Sequence, residues 1–215
     1  MAVPAVPLNL ILVSLPLLAT GGWQRLLPDP RLWLFALAIA AFTFLEGAAS
    51  RETGPERPPS ARAAALPYLA GPALLGVFWL SLYGAAITSP FLAAAGAVAL
   101  AAGIALRLAA IHTLRRHFTS HVTLALDHRL VTGGLYAQLR HPSELGLLLV
   151  ALGAALLMGS APGLLFAAAV LLPLSLYRIR LEDRMLVAAF GERFRRYKGS
   201  TPALLPHWRP GAEDH

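Results

Sequence analysis

The sequence predicts an all-α, polytopic integral membrane protein, and three observations support that prediction. Of the 215 residues, 57% are hydrophobic and only 13% charged, whereas a soluble domain carries roughly 25% charged residues. The mean hydropathy is +0.62. The apolar residues are gathered into runs of membrane-spanning length, separated by Pro, Gly and charged clusters. There is no cysteine, which excludes disulfides, thiolate catalysis and Cys-based zinc or iron–sulfur sites. The net charge of +7 is almost wholly arginine, Lys198 being the one lysine. These arginines sit beside apolar runs, as topology signals do, rather than in the patch expected of a nucleic-acid-binding domain. The bias towards Ala, Leu, Gly and Arg suggests a GC-rich bacterial genome and so a bacterial inner membrane.

The elements follow in order. Residues 3–20 are apolar and precede the first basic residue, Arg25. A secretory signal would carry positive charge ahead of its apolar core, so the run reads as a first span, with a cleaved signal as the alternative. Trp23 and Trp33 flank a polar turn containing Asp29 and Pro30, as interfacial aromatics do. Residues 32–49 make a second span, and the Pro-rich charged stretch 51–62 a loop. Residues 63–88 make a third, with Pro67, Gly71 and Pro72 predicting a kink. After a turn at Ser89-Pro90, residues 91–113 make a fourth span. Its Gly96, Ala99 and Gly103 form a small-residue face, and its Arg107 is expected to snorkel to the headgroups. Five or six spans result, and residues 1–113 are read as an N-terminal helical region.

Residues 114–215 carry the remaining polar chemistry. The stretch 114–140 is too polar to span and long for a bare loop. Residues 142–158 form a short apolar helix, Gly159 to Gly163 turn it, and 164–177 run back, so 142–177 is a hairpin. The return helix is expected to continue into 178–197 with Met185, Leu186, Phe190 and Phe194 along one apolar face, followed by a tail with Pro202, Pro206 and Pro210. The basic junctions around 115–140 and after 177 place both ends of this hairpin on the cytoplasmic side.

Two polar clusters therefore meet. At Arg140-His141-Pro142-Ser143-Glu144, Pro at the first helical position and an acid in the first turn are explained by helix initiation alone. Arg and His just ahead of lipid are not, and a helix N-terminus near Gly133-Gly134 also suits an anion. At Arg178 and Glu182-Asp183 the bland reading is an exposed i,i+4 ion pair. Ionisable groups at the membrane boundary point instead to function. His112, His117, His121 and His128 fit no metal-ligand spacing, and no phosphate-binding or nucleophile-elbow motif occurs. Arg180, Arg184, Arg193, Arg195 and Arg196 read as topology signals that also attract anionic lipid.

In order and spacing, these blocks resemble the isoprenylcysteine carboxyl methyltransferase family and, more broadly, the phospholipid methyltransferase-type membrane enzymes. They are Leu130-Val131 with Tyr136, Arg140-His141-Pro142-Ser143 with Gly146, Arg178 with Glu182-Asp183, then Leu186, Phe190-Gly191, Phe194, Tyr197 and Pro206. The resemblance implies S-adenosylmethionine as cofactor, taken from the cytosolic side and covered by a C-terminal cytosolic helix. It assigns the cofactor to His128, Arg129, Leu130 and Val131, to Tyr136, and to Arg140, His141, Pro142, Ser143 and Glu144, with Glu182 completing the pocket. Arg178 would face the acceptor, and Arg178 and Glu182 are the candidate catalytic pair. The implied partners are a lipophilic or prenylated acceptor and membrane lipid. Two positions depart from the family pattern: Glu144 stands where an aromatic is common, and Glu182-Asp183 where Glu-Glu is common. An acceptor carboxylate needs a cation to aim it rather than a base, since it is ionised at neutral pH. A thiol or amine acceptor would need a base, with Glu182 the nearby candidate. A sterol-type reductase binding NADPH through Arg193, Arg195 and Arg196, and a non-catalytic membrane scaffold, are the rival readings.

Overall fold

A computed structural model of the chain describes residues 24, 27–49, 69–84, 89–114 and 130–205. The expected first span, Trp23, the 51–62 loop, Pro67, His117, His121, His128, Arg129, Pro206 and Pro210 lie outside the described residues. The described elements are α1 (Pro30–Ala49), α2 (Ala70–Tyr83), α3 (Pro90–Leu114), the single turn α4 (Leu135–Gln138), α5 (Pro142–Met158), α6 (Ala161–Phe190) and α7 (Glu192–Ser200). Among the described residues, α3 and α6 are long and apolar enough to cross a membrane, and α2 and α5 are shorter apolar helices. The outward faces of α1, α3 and α6 carry large apolar side chains, with Leu37, Val98 and Leu165 each about 70% exposed, while Ser81, Ser160 and Ser175 are fully buried. Helices apolar all round, with polar groups turned inward, suit lipid rather than water.

The axis of the fold is the antiparallel pair α3–α5, which makes the most extensive helix contact. A β-carbon built on Gly96 would strike the backbone of Leu157, one on Gly153 the backbone of Leu100, one on Gly103 the backbone of Val150, and one on Gly146 that of Arg107. The glycines alternate between the two helices at steps of four and three residues, so the backbones touch along the whole pair. The expected small face was half right. Gly96 and Gly103 lie on it, but its other positions are Leu100 and Arg107, and Ala99 is only half-buried, off the line of contact. Helix α1 packs on both α3 and α5, and α2 on α5 and α6, with Phe35 and Phe78 edge to face at 5.8 Å.

Three expectations are corrected. Gly71 and Pro72 sit in the first turn of α2, where a missing N–H costs nothing, so they mark a start and not a kink. The hairpin turn is tighter than 159–163. Gly159 takes the left-handed conformation (φ 65°), Ser160 N–H donates to Ala155 at 2.8 Å, and α6 begins at once at Ala161. The return helix then runs unbroken to Phe190, through a wider π-turn at Ala167–Leu171 just ahead of Pro173. A wide turn there accommodates the ring that would otherwise clash with a carbonyl one turn back. Gly191 (φ 55°) ends α6, and α7 starts in a new direction; of the expected apolar face only Phe194 is fully buried.

Candidate active site

Both polar clusters lie at the same end of the bundle, opposite the Gly159 turn. Arg140 and His141 precede α5, whose first helical residue is Pro142. Arg140 reaches across to α6: its Nη1 donates to Asp183 Oδ1 at 2.8 Å and Oδ2 at 2.7 Å, and its Nε to the Thr201 carbonyl at 2.8 Å. His141 lies between both acids, with Nε2 3.0 Å from Asp183 Oδ1 and Nδ1 3.5 Å from Glu182 Oε2. Lys198 of α7 adds a third cation to Asp183 at 3.0 Å. The backbone N–H groups of Arg140 and His141 donate to Pro202 and Ala203, so the chain after α7 is laced to the entry of α5. Burial opposes charge on His141, but the hydrogen bonds to Asp183 and Glu182 outweigh it and raise its pKa to about 9.

The paired acids are thus not equivalent. Asp183 is buried and saturated by Arg140, His141 and Lys198, whereas Glu182 keeps 39% of its side chain exposed. One turn deeper, Arg178 Nε lies 3.2 Å from Glu144 Oε1, both side chains largely buried. Tyr136, on α4, is buried, and its carbonyl accepts from the Tyr197 hydroxyl at 2.5 Å. Burial pushes the Tyr197 pKa up to about 12, so this donor stays protonated. A cleft of about 720 Å³ opens beside the clamp, between the 132–137 segment and α7, with Arg193 and Arg196 on its wall. Leu130 and Val131 are half-buried at its approach, while Pro142 is buried and Ser143 partly so.

Arg107 does not snorkel. It is 5% exposed, pairs with Glu46 through Nε (3.0 Å) and Nη2, and donates through Nη1 to the carbonyl and hydroxyl of Ser143 at 3.1 and 3.0 Å. It therefore pins the start of α5 from α3, with α1 supplying the counter-charge. A sequence signal existed: Glu46 and Arg107 are opposite charges at nearly the same distance from their helix starts, Pro30 and Pro90.

This order of motifs on this hairpin has a known counterpart. Residues 94–188 match the isoprenylcysteine carboxyl methyltransferase family. The chain is 39% identical over 80 residues to protein-S-isoprenylcysteine O-methyltransferase of Schizosaccharomyces pombe, covering 37% of this chain and 34% of that protein. It is 34% identical over 103 residues to the Saccharomyces cerevisiae enzyme of that name (46% and 43%). It is 31% identical over 106 residues to protein-S-isoprenylcysteine O-methyltransferase B of Arabidopsis thaliana (48% and 54%). The chain thus spans between about a third and about half of these relatives' lengths. All three are eukaryotic, and they lend no support to the bacterial source that composition suggested. A eukaryotic intramembrane Ras methyltransferase, isoprenylcysteine carboxyl methyltransferase, shares the fold with a TM-score of 0.52 at 21% identity, over 94% of this chain and 73% of that one. Among the described residues the architecture is all-helical, as the sequence predicts, with two helices long and apolar enough to cross a membrane where five or six spans were expected.

Proposed function

We propose that the chain is an integral membrane methyltransferase that uses S-adenosylmethionine and methylates the carboxylate of an isoprenylcysteine or a similar lipid-like acceptor. The observation that carries this reading is the division of labour between the two acids: Asp183 closes the hairpin, and Glu182, 3.5 Å from His141, keeps 39% of its side chain exposed. That chemistry fits the donor. Glu182 would take its ammonium, and the first amides of α5 after Pro142 form the positive end of the helix dipole, where a carboxylate is favoured. Tyr136, Leu130 and Val131 would flank the adenosyl part beside the cleft. When bound, S-adenosylmethionine supplies a methyl group on a sulfonium, displaced by a nucleophile in line and without proton transfer.

The protein's task is then to orient and to exclude water. Arg140 and His141 act by holding α5 against α6 and the 201–203 segment, since their charges are already matched by Asp183 and Glu182. Arg178, deeper and among apolar helices, would aim the acceptor carboxylate. The acceptor enters from lipid, and α7 covers the donor from the cytosolic side. Calorimetry with S-adenosylhomocysteine on the detergent-purified chain tests the donor assignment. Binding that weakens in His141→Ala and Glu182→Ala supports it; tight NADPH binding without S-adenosylhomocysteine binding overturns it in favour of a reductase.

A further inference from the structure

Two buried polar atoms near Arg178 have no hydrogen-bond partner among the described residues: Glu144 Oε2 and Ser175 Oγ. Glu144 is 3% exposed and Ser175 fully buried. Ser175 lies three residues before Arg178 on the same face of α6, and Glu144 faces Arg178 from the first turn of α5. A buried serine in an apolar helix ordinarily bonds back to a carbonyl one turn earlier, as Ser81 does to Val77 at 2.7 Å. A carboxylate oxygen buried without a donor is costlier still. Such groups call for a partner from outside the polypeptide, a ligand or an ordered water, or for a role in catalysis.

The charge balance says what kind of ligand. Arg178 and Glu144 already form a neutral pair at 3.2 Å. Adding a lone carboxylate would leave one net negative charge buried, at considerable cost. Adding a carboxylate together with an ammonium keeps the pocket neutral, the first group turning to Arg178 and Ser175 and the second to Glu144 Oε2. An aromatic residue at position 144, common in the family, would impose no such demand.

We propose that Glu144, Arg178 and Ser175 form an acceptor head-group pocket that selects a zwitterion, so that this chain prefers a free S-prenylated cysteine to one acylated on its nitrogen. The proposal rests on the methyl-transfer reading above and names its substrate class.

The test uses the full chain in neutral detergent, a tritiated methyl donor, and two acceptors, S-farnesylcysteine and N-acetyl-S-farnesylcysteine, with S-adenosylhomocysteine affinity measured in parallel. The free amino acid should have the higher kcat/KM by about tenfold, the scale of one hydrogen bond to a charged group. Glu144→Gln should erase that preference while leaving S-adenosylhomocysteine affinity within about twofold. Ser175→Ala, an independent check should the first variant misfold, should raise KM for both acceptors by roughly fivefold and leave the preference intact. A wild-type preference for the acetylated acceptor, or none, overturns the proposal. So does a Glu144→Gln variant that loses S-adenosylhomocysteine but keeps the preference, since Glu144 would then belong to the donor. Failure of S-adenosylhomocysteine to bind, with neither acceptor methylated, would bring down the methyl-transfer reading itself and this proposal with it.

Discussion

The two ends of the α5–α6 hairpin are closed by different physics. At the Gly159 end the fastenings among the described residues are neutral: a left-handed glycine, the Ser160 hydroxyl donating across to the Leu80 carbonyl of α2 at 2.7 Å, and the Gly163 amide donating to Ser160 Oγ at 3.1 Å. At the other end Arg140, His141, Glu144, Arg178, Glu182, Asp183 and Lys198 converge from three helices and the segment before α5. Neutral closure gives stability alone. Charged closure in a poorly solvated place is a poor route to stability, because desolvation offsets much of the attraction. Its presence at one end only is what an arrangement kept for ligands looks like. The contrast also sorts the consequences of mutation: damage at the Gly159 end should touch folding, and damage at the charged end should separate folding from chemistry residue by residue.

Arg178→Ala offers the largest effect. If Arg178 aims the acceptor as proposed, removing its cation should lower turnover by roughly a thousandfold, on the order of 4 kcal/mol of barrier. S-adenosylhomocysteine affinity should stay near wild type, because Arg178 lies a helical turn deeper than Glu182. Unchanged turnover would remove Arg178 from the site and leave the charged end as a mere ion-pair network. Asp183→Ala is next and tests the fastening role. It strands Arg140, His141 and Lys198 with no shared anion, and breaking a buried pair costs about 3–5 kcal/mol. Chemical unfolding in mixed micelles should show that loss, with Glu182→Ala costing much less. Equal costs would mean that the two acids share one role.

What the sequence made legible follows from what kind of force was at work. The first hairpin arm 142–158, the fourth span and the juxtaposition of His141 with Glu182 and Asp183 were readable because composition, helix-start chemistry and topology all point the same way. The inequality of Glu182 and Asp183 was not, since adjacent acids look alike until the direction of α6 shows which one faces inward. Nor was the Glu46–Arg107 link, because snorkelling is the ordinary fate of an arginine near a helix end and only the packing of α1 against α3 decides otherwise. The continuation of the return helix past residue 177 was legible, but the π-turn at Ala167–Leu171 was not, because an apolar run carries no local signal for a wider turn ahead of Pro173. Lys198 could be tied to Asp183 only once Gly191 had redirected α7.

His141 provides a pH test of the same contrast. Its folded-state pKa of about 9 lies above the ordinary histidine value because Asp183 and Glu182 favour the charged ring. A raised pKa stabilises the fold fully below the unfolded value near 6.5. That contribution, on the order of 3 kcal/mol, erodes as pH rises and is gone above about 9. Thermal unfolding followed from pH 6 to pH 10 should therefore show a falling midpoint across this window in wild type, and a much flatter profile in His141→Gln. Retention of the full slope in the variant would assign it to other groups.

The smallest effect belongs to the Gly159 end and is the cleanest control on the contrast. Ser160→Ala removes one donor and one acceptor: the Gly163 amide loses its cap, but the Leu80 carbonyl keeps the Gly84 amide at 2.9 Å. One orphaned amide and one lost bond predict a cost of about 1–2 kcal/mol. Alanine adds no bulk, which matters because a β-carbon on Gly84 would come within 2.6 Å of the Ser160 oxygen and the turn has no room to spare. The variant should therefore unfold slightly earlier while binding S-adenosylhomocysteine and turning over as wild type does. A drop in turnover larger than the loss of stability would mean that the position of the Gly159 turn is felt at His141 and Glu144, at the far end of the 17-residue helix α5, and the two ends would have to be treated as one coupled unit.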